Sequence, residues 1–360
     1  MKIVIWGMGN LMQTYIDRKG LYKNDNIVAF VDNNPLFWGK YFCEAPILAP
    51  TELSNVKFDC VIICAADWRI KEQLIKELKV EEYKIKTIEE IEKYYTQKVV
   101  SKYVDNKDEE VQNTIAYYKE KGLSVFGDYS PNLSNYKVYR DEDNHPYIIF
   151  EDKRIYYPDT CRFIWKCDGK EYISDIMYEQ KENSPHLYLP DEKIIMPESI
   201  IVDAGACEGN FAIRFVERAS KIYLIESDPI WVKCLERTFR PFKDKVIICD
   251  KKLARYDSKT SITIDSLLEH QKIDFLKMDI EGAEIDALLG GQETLLNSNV
   301  NCAICCYHKM NDERNIRFIL SSLGYQTQVS KGYMFFWYDE DIYDTLDLRK
   351  GIVYARKNTL

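Results

Sequence analysis

Val202-Asp203-Ala204-Gly205-Ala206-Cys207-Glu208-Gly209-Asn210-Phe211, followed by Ile222-Tyr223-Leu224-Ile225-Glu226, decides the fold. An apolar run ends in an acid, a glycine turn follows, and a second apolar run ends in another acid. The order reads as strand, turn, helix, strand. That is the layout of a cofactor site at the carboxyl edge of a parallel sheet. Gly205 and Gly209 let the backbone turn tightly and approach a ligand with no Cβ in the way. Glu226 follows Gly205 by about 20 residues, where an acid can meet two ribose hydroxyls. A plain βαβ turn with a helix-capping acid is the blander reading of the same residues.

The glycines are spaced D-x-G-x-x-x-G, whereas a dinucleotide site uses G-x-G-x-x-G and seats a pyrophosphate on the helix N-terminus. An acid at Asp203 repels phosphate and suits a ligand with an ammonium or sulfonium group. S-adenosylmethionine (SAM) has both, with a ribose and no phosphate. The stretch resembles motif I of class I SAM-dependent methyltransferases, with Glu226 as the ribose acid. That resemblance implies cofactor contacts from Asp203, Gly205, Ala206, Glu208, Gly209, Asn210, Phe211, Glu226, Ser227 and Asp279.

Downstream, Asp274-Phe275-Leu276-Lys277-Met278-Asp279-Ile280-Glu281-Gly282-Ala283-Glu284, then Leu288-Leu289-Gly290-Gly291, resembles the signature of the FkbM family of methyltransferases. Ile264-Asp265-Ser266-Leu267 is similar to that family's lead-in. The resemblance spans about residues 199–338. Cys207 stands where many methyltransferases carry glycine or another small residue.

In an open parallel sheet, reacting groups gather at the carboxyl ends of strands. Asp279 ends one expected strand and His308 another, so Asp279, Glu281 and His308 are the candidate catalytic residues. His308 is the candidate general base, because imidazole titrates near neutrality; capping of the strand end is its structural alternative. Glu281 and Glu284 flank Gly282 at a helix start, where acids favour the helix dipole. A divalent metal on Asp279, Glu281 and His308 is open but not expected, since no clean ligand spacing compels it. Tyr178-Glu179-Gln180 and Ser184-Pro185-His186-Leu187-Tyr188 form a second polar cluster. Tyr178, Glu179, Gln180, His186 and Tyr188 are the candidate acceptor-binding residues, a polar turn being the alternative.

The 360 residues allow two or three domains, and the 46% apolar fraction supports real cores. A net charge of −9 gives no general basic field for nucleic acid. No apolar run approaches the roughly 20 residues of a membrane span, and Met1–Gly7 does not read as a signal peptide. The 11 cysteines read as reduced thiols of a cytoplasmic protein. Cys302-Ala303-Ile304-Cys305-Cys306 reads as a buried strand rather than a metal site, since no second C-x-x-C pair exists.

The expected fold is α/β, with two Rossmann-like parallel sheets joined by a helical and β-rich middle. The expected domains are 1–97, 98–198 and 199–360. In the first, Ile3–Trp6 and Ile27–Val31 read as strands, 11–19 and about 68–79 as helices, and Asp32 has the spacing of a ribose acid. Met12 replaces the third glycine of G-x-G-x-x-G, which disfavours NAD. The segment resembles the amino-terminal domains of bacterial sugar-modifying enzymes, which implies nucleotide-sugar binding or docking. A degenerate Rossmann module is the alternative. Residues 98–123 read as a charged helix and 124–195 as β-rich, with turns at 141–144 and Asp168-Gly169.

In the last domain, strands are expected near 200–203, 221–225, 246–249, 273–278 and 302–307. Helices are expected near 210–219, 229–239, 283–296 and 312–323. Late strands open at Gly324, Gly332 and Gly351. The expected function is methylation of a hydroxyl on a sugar or glycan precursor, free or nucleotide-linked, in surface-polysaccharide synthesis. Alternatives are a small-molecule hydroxyl, or a non-catalytic nucleotide-sugar-binding or assembly protein. A homo-oligomer is open.

Overall fold

The computed structural model describes residues 2–9, 12, 26–42, 44–65, 67, 69–126, 136–159, 170–339 and 341–357. The expected helix at 11–19, apart from Met12, and the Asp168-Gly169 turn lie outside them. The chain divides into two compact units, one of residues 1–125 with 335–347, the other of 126–334 with 348–360.

The first unit is built on β1 (Lys2–Trp6), β2 (Asn26–Val31), β3 (Tyr41–Phe42), β4 (Ala45–Leu48), β5 (Cys60–Ile63) and β6 (Ile85–Thr87). The sheet order is β3-β4-β2-β1-β5-β6, parallel except for β3. Both faces are covered, as a parallel sheet requires. Ile3 and Ile5 face one core with Met12, Phe30 and Ile62, whereas Val4 and Trp6 face the other with Val31, Val61 and Leu74. Alternate residues of β1 thus serve two cores.

Helices follow at Arg69–Lys76, Ile88–Tyr103 and Glu109–Lys121. The last two replace the single charged helix expected over 98–123. Asp108 separates them, its carboxylate accepting from the amides of Glu110 and Val111 as an N-cap.

The second unit opens with an antiparallel sheet of β7 (Tyr139–Arg140), β8 (Pro146–Phe150) and β9 (Lys153–Tyr156). A helix, Lys170–Glu179, then occupies part of the stretch expected to be β-rich. The main strands are β10 (Ile200–Ala204), β11 (Lys221–Ile225), β12 (Val246–Cys249), β15 (Phe275–Met278), β16 (Asn301–Cys305), β17 (Tyr325–Val329) and β18 (Ile352–Lys357). The short pair β13 (Lys252–Leu253) and β14 (Ser261–Ile262) stands apart.

The main order is β12-β11-β10-β15-β16-β18-β17. Six of the seven strands run in one direction, and β18 alone inserts antiparallel, between β16 and β17. The strand expected at Gly332 is only a bridge between Met334 and Arg349. The helix expected over 210–219 is regular only over Asn210–Ile213. That expected over 283–296 breaks into Glu284–Leu289 and Gln292–Asn297. The break lies at Gly290-Gly291, where a Cβ on Gly290 would sit 2.3 Å from the Ala254 carbonyl oxygen. The backbones approach too closely for any side chain there.

Candidate functional site

Two neighbouring features meet at the carboxyl edge of the main sheet. The first is the turn after β10. Gly205 has φ +72°, and a Cβ there would lie 1.6 Å from the Asp279 carbonyl oxygen. Gly209 has φ +79°, with Phe239 and Leu235 filling the space a Cβ would need. Between them Cys207 also takes a positive φ, 49°. Its amide donates to one Glu226 carboxylate oxygen at 3.0 Å, while the Asp228 amide donates to the other at 2.8 Å. Glu226 therefore ties the glycine turn of β10 to the tip of β11. Asp32 makes the same arrangement in the first unit, accepting from Met8 and Asn34 at 2.7 Å each. There Met12, fully buried, occupies the third-glycine position.

The other residues of the turn do not all face outward. Asp203 is fully buried and paired with Lys277 Nζ at 3.1 Å. Burial pushes its pKa up, against the pull of the ammonium. Lys277 is itself buried; desolvation disfavours its charge, but Asp203 and Asp279 outweigh that and raise its pKa. Its ammonium also donates to the Gly205 carbonyl at 2.7 Å and lies 4.9 Å from the Tyr188 ring centre. Ala206 is buried, and so is Glu208, whose carboxyl burial raises to about 7. Phe211 is a core residue, stacked on Phe275 at 5.7 Å and edge-on to Tyr188 at 5.9 Å. Asn210 is half-buried at the helix start, and Ser227 is exposed.

The second feature centres on Asp279, just past β15. Its Oδ2 accepts from the Tyr188 hydroxyl at 2.6 Å and its Oδ1 from the Tyr307 hydroxyl at 3.1 Å. His186 Nε2 is 3.4 Å from Oδ2 and His308 Nε2 is 3.3 Å from Oδ1. Burial works against ionisation, but His186, His308 and Lys277 outweigh it and hold Asp279 well below the usual carboxylate range. His186 is buried, with Nδ1 3.4 Å from Glu179. Desolvation favours its neutral form, yet Asp279 and Glu179 raise it to about 9. His308 is also buried, with Nδ1 3.1 Å from Glu284 Oε1 and Nε2 3.7 Å from Glu281. The carboxylates again outweigh desolvation, Glu284 foremost, and raise its pKa. Glu284 is fixed in turn by the Ile280 amide at 2.9 Å. Glu281, at φ +56°, is exposed.

The segment before β10 reaches this cluster through Gln180, His186 and Tyr188. Gln180 accepts from the Tyr188 amide and donates to the His186 carbonyl. Gly351, before β18, lies so close that a Cβ would sit 2.0 Å from the Pro185 carbonyl oxygen. The Tyr354 hydroxyl donates to the Leu187 carbonyl. Tyr178 lies under the Lys181 ammonium, 3.3 Å from its ring centre.

Sequence reasoning missed Lys277, Tyr307 and Arg349. Arg349 Nη1 donates to the carbonyls of Tyr307 and His308 and so fixes the end of β16. Only Lys277 left a trace in the sequence: a lone cation within the apolar run Phe275-Leu276-Lys277-Met278 needs a buried partner. Asp279, Glu284 and His308 place ligand-type atoms within 4.8 Å of one another, as do His186, Asp279 and Cys305.

Residues 159–327 match the model of the methyltransferase FkbM domain. That match, just under half of the chain, makes the protein a methyltransferase. Residues 1–86 match a model described as C2185-like, N-terminal. No curated protein matches the chain.

Among solved structures, the chain is similar to methyltransferase FkbM from Methylobacillus flagellatus KT, at 15% identity and a TM-score of 0.47. That match covers 98% of this chain and 89% of the other. It is also similar to precorrin-6y C5,15-methyltransferase from Geobacter metallireducens GS-15, at 14% identity and a TM-score of 0.32, over 45% of this chain and 83% of that one. A TehB-like SAM-dependent methyltransferase from Corynebacterium glutamicum is 12% identical with a TM-score of 0.29, over 47% and 84%. Among the described residues no helix is long and apolar enough to cross a membrane.

Proposed function

We propose that this chain is a SAM-dependent O-methyltransferase whose acceptor is a hydroxyl of a sugar or glycan precursor. The observation that carries the cofactor half is the turn from Gly205 to Gly209. It brings backbone rather than side chains to the carboxyl edge of β10, and Glu226 stands beside it, half-buried. The sugar is supported by the grouping of two histidines, two tyrosines and several carboxylates around Asp279, a set suited to hydrogen bonding a polyhydroxylated ring. Surface-polysaccharide synthesis, a cytoplasmic location and an acceptor-binding or assembly role for the first unit belong to the same proposal.

When bound, the cofactor supplies a methyl group on a sulfonium, which is already a good leaving group. The protein must hold the acceptor oxygen about 3 Å from that methyl carbon and manage its proton. His308 is the proton acceptor in this reading, and Glu284 fixes its ring from the far side. Asp279 orients the edge on which the hydroxyl sits. Because its pKa is raised, the neutral ring that can take the proton becomes available only at higher pH than for a free imidazole.

The rate therefore rises as pH climbs through a value above the ordinary imidazole pKa of 6.5. A profile of kcat/KM against pH should show this rise in wild type and its loss in His308→Gln. A flat wild-type profile above neutrality would remove His308 from the proton-transfer role.

The cofactor assignment is tested by calorimetry with SAM and S-adenosylhomocysteine. Glu226→Ala is expected to weaken both by about 10–100-fold, the equivalent of one or two lost hydrogen bonds to a charged group. Absence of binding to folded wild-type protein would overturn the assignment.

A further inference from the structure

A cavity lies within the second unit, between the antiparallel sheet and the helix Pro229–Thr238. Its volume is about 460 Å³, within the range of small-molecule sites. Ile230, Lys233, Cys234 and Arg237 line one wall. Their spacing of three, four and seven residues puts them on one helix face. Tyr157 and Pro158 form the opposite wall, with His145 beside them and Arg240 below the helix.

The charges are arranged unevenly. Lys233, Arg237 and Arg240 line the cavity against Asp159 and Glu236. Asp159 is already held by Arg140 at 3.2 Å. Arg237 is fixed by His145 Nε2 at 3.0 Å and by Asp141 at 3.7 Å. Its guanidinium already occupies the centre of the Asp141, Asp143 and His145 trio, lying 3.9 Å from Asp143, so a metal ion is not needed there. Lys233 and Arg240 have no carboxylate partner among the described residues. The lining thus carries one more cation than acid, on a chain whose net charge is −9. Concave, low-dielectric walls strengthen such a field. The floor is apolar: Tyr157 and Cys234 are buried, and the Tyr157 ring stands 6.5 Å from Trp231.

We propose that this cavity binds a small organic phosphate. Its phosphate groups sit on Lys233 and Arg240, and its organic part lies against Tyr157, Pro158 and Ile230. Arg gives planar two-point bonding to phosphate and Lys adds a point charge. The apolar floor favours an organic phosphate over the bare ion. The site is separate from the glycine turn and does not depend on the methyl-transfer reading.

The test is calorimetry on the full chain with uridine diphosphate, guanosine diphosphate and inorganic pyrophosphate as probes. At least one nucleotide should bind saturably and more tightly than pyrophosphate, with affinity falling as salt rises. The double variant Lys233→Ala/Arg240→Ala should weaken that binding at least about tenfold, since each change removes a charge-assisted hydrogen bond. Both residues are exposed, so the fold should survive; an unchanged circular dichroism spectrum and urea midpoint would confirm it. Absence of saturable binding of all three probes, or binding that the double variant leaves unchanged, would overturn the proposal. Either outcome holds whether or not SAM binds.

Discussion

Gly205→Ala should abolish cofactor binding and destabilise the chain by about 3–5 kcal/mol, adding left-handed strain to a backbone clash. At φ +72° an alanine is strained before any neighbour is considered, and its Cβ falls 1.6 Å from the Asp279 carbonyl oxygen. That oxygen belongs to backbone whose own amide donates to the Ala204 carbonyl at 3.0 Å. It cannot retreat without disturbing the pairing of β10 with β15. Gly324→Ala supplies the control: its φ is +86°, but nothing lies within 4 Å of the new Cβ. That variant should cost only about 1 kcal/mol, the conformational part alone. Urea unfolding of both variants separates strain from collision. Equal losses would show that the turn yields readily and that close approach to Asp279 is not what demands glycine.

Lys277→Met should be nearly as damaging, at about 3–5 kcal/mol, because it strands a fully buried carboxylate. Asp203 then has no ammonium 3.1 Å away. Its one escape is to take up a proton, which burial already favours. The variant's deficit should therefore shrink as pH falls, because the neutral carboxyl no longer needs a cation. Lys277→Met with Asp203→Asn should recover part of the loss, as coupled neighbours do. The measurement is a set of urea midpoints for the two single variants and the double across a pH series. A deficit independent of pH, with no recovery in the double variant, would place the Lys277 contribution in its bond to the Gly205 carbonyl instead.

The α/β architecture was legible because its signals are local. Apolar runs of four to six residues, each closed by an acid or a glycine turn, correspond to β10, β11, β12 and β15. The interruption at Gly290-Gly291 was harder to read. A glycine pair within a helical pattern shows its reason only when Ala254 is seen against it. The placement of β18 between β16 and β17 is a tertiary choice, with no local mark in Ile352-Val353-Tyr354-Ala355.

The candidate site divides in the same way. Gly205, Gly209 and Glu226 announce themselves by spacing. Asp203 was read as facing a ligand, but its partner Lys277 lies far along the chain, in the neighbouring strand β15. The gathering of His186, Tyr188 and Tyr307 on Asp279 joins segments separated by up to 121 residues, and no periodicity carries that information. Phe211 follows the glycine turn in sequence yet packs inward on Phe275, because the helix Asn210–Ile213 turns that face to the core.

The chain leaves the second unit at Met334, completes the first with residues 335–347, and returns at Leu348. In the first unit the Tyr343 ring then lies 4.5 Å from that of Tyr95, and Lys102 donates to the Thr345 carbonyl at 2.6 Å. During vectorial synthesis, both units therefore wait on the same late stretch of polypeptide. Until it emerges, β16 presents a bare apolar edge, the kind of template that invites intermolecular pairing. The nascent protein is most exposed to misassembly in the interval before β18 has been added.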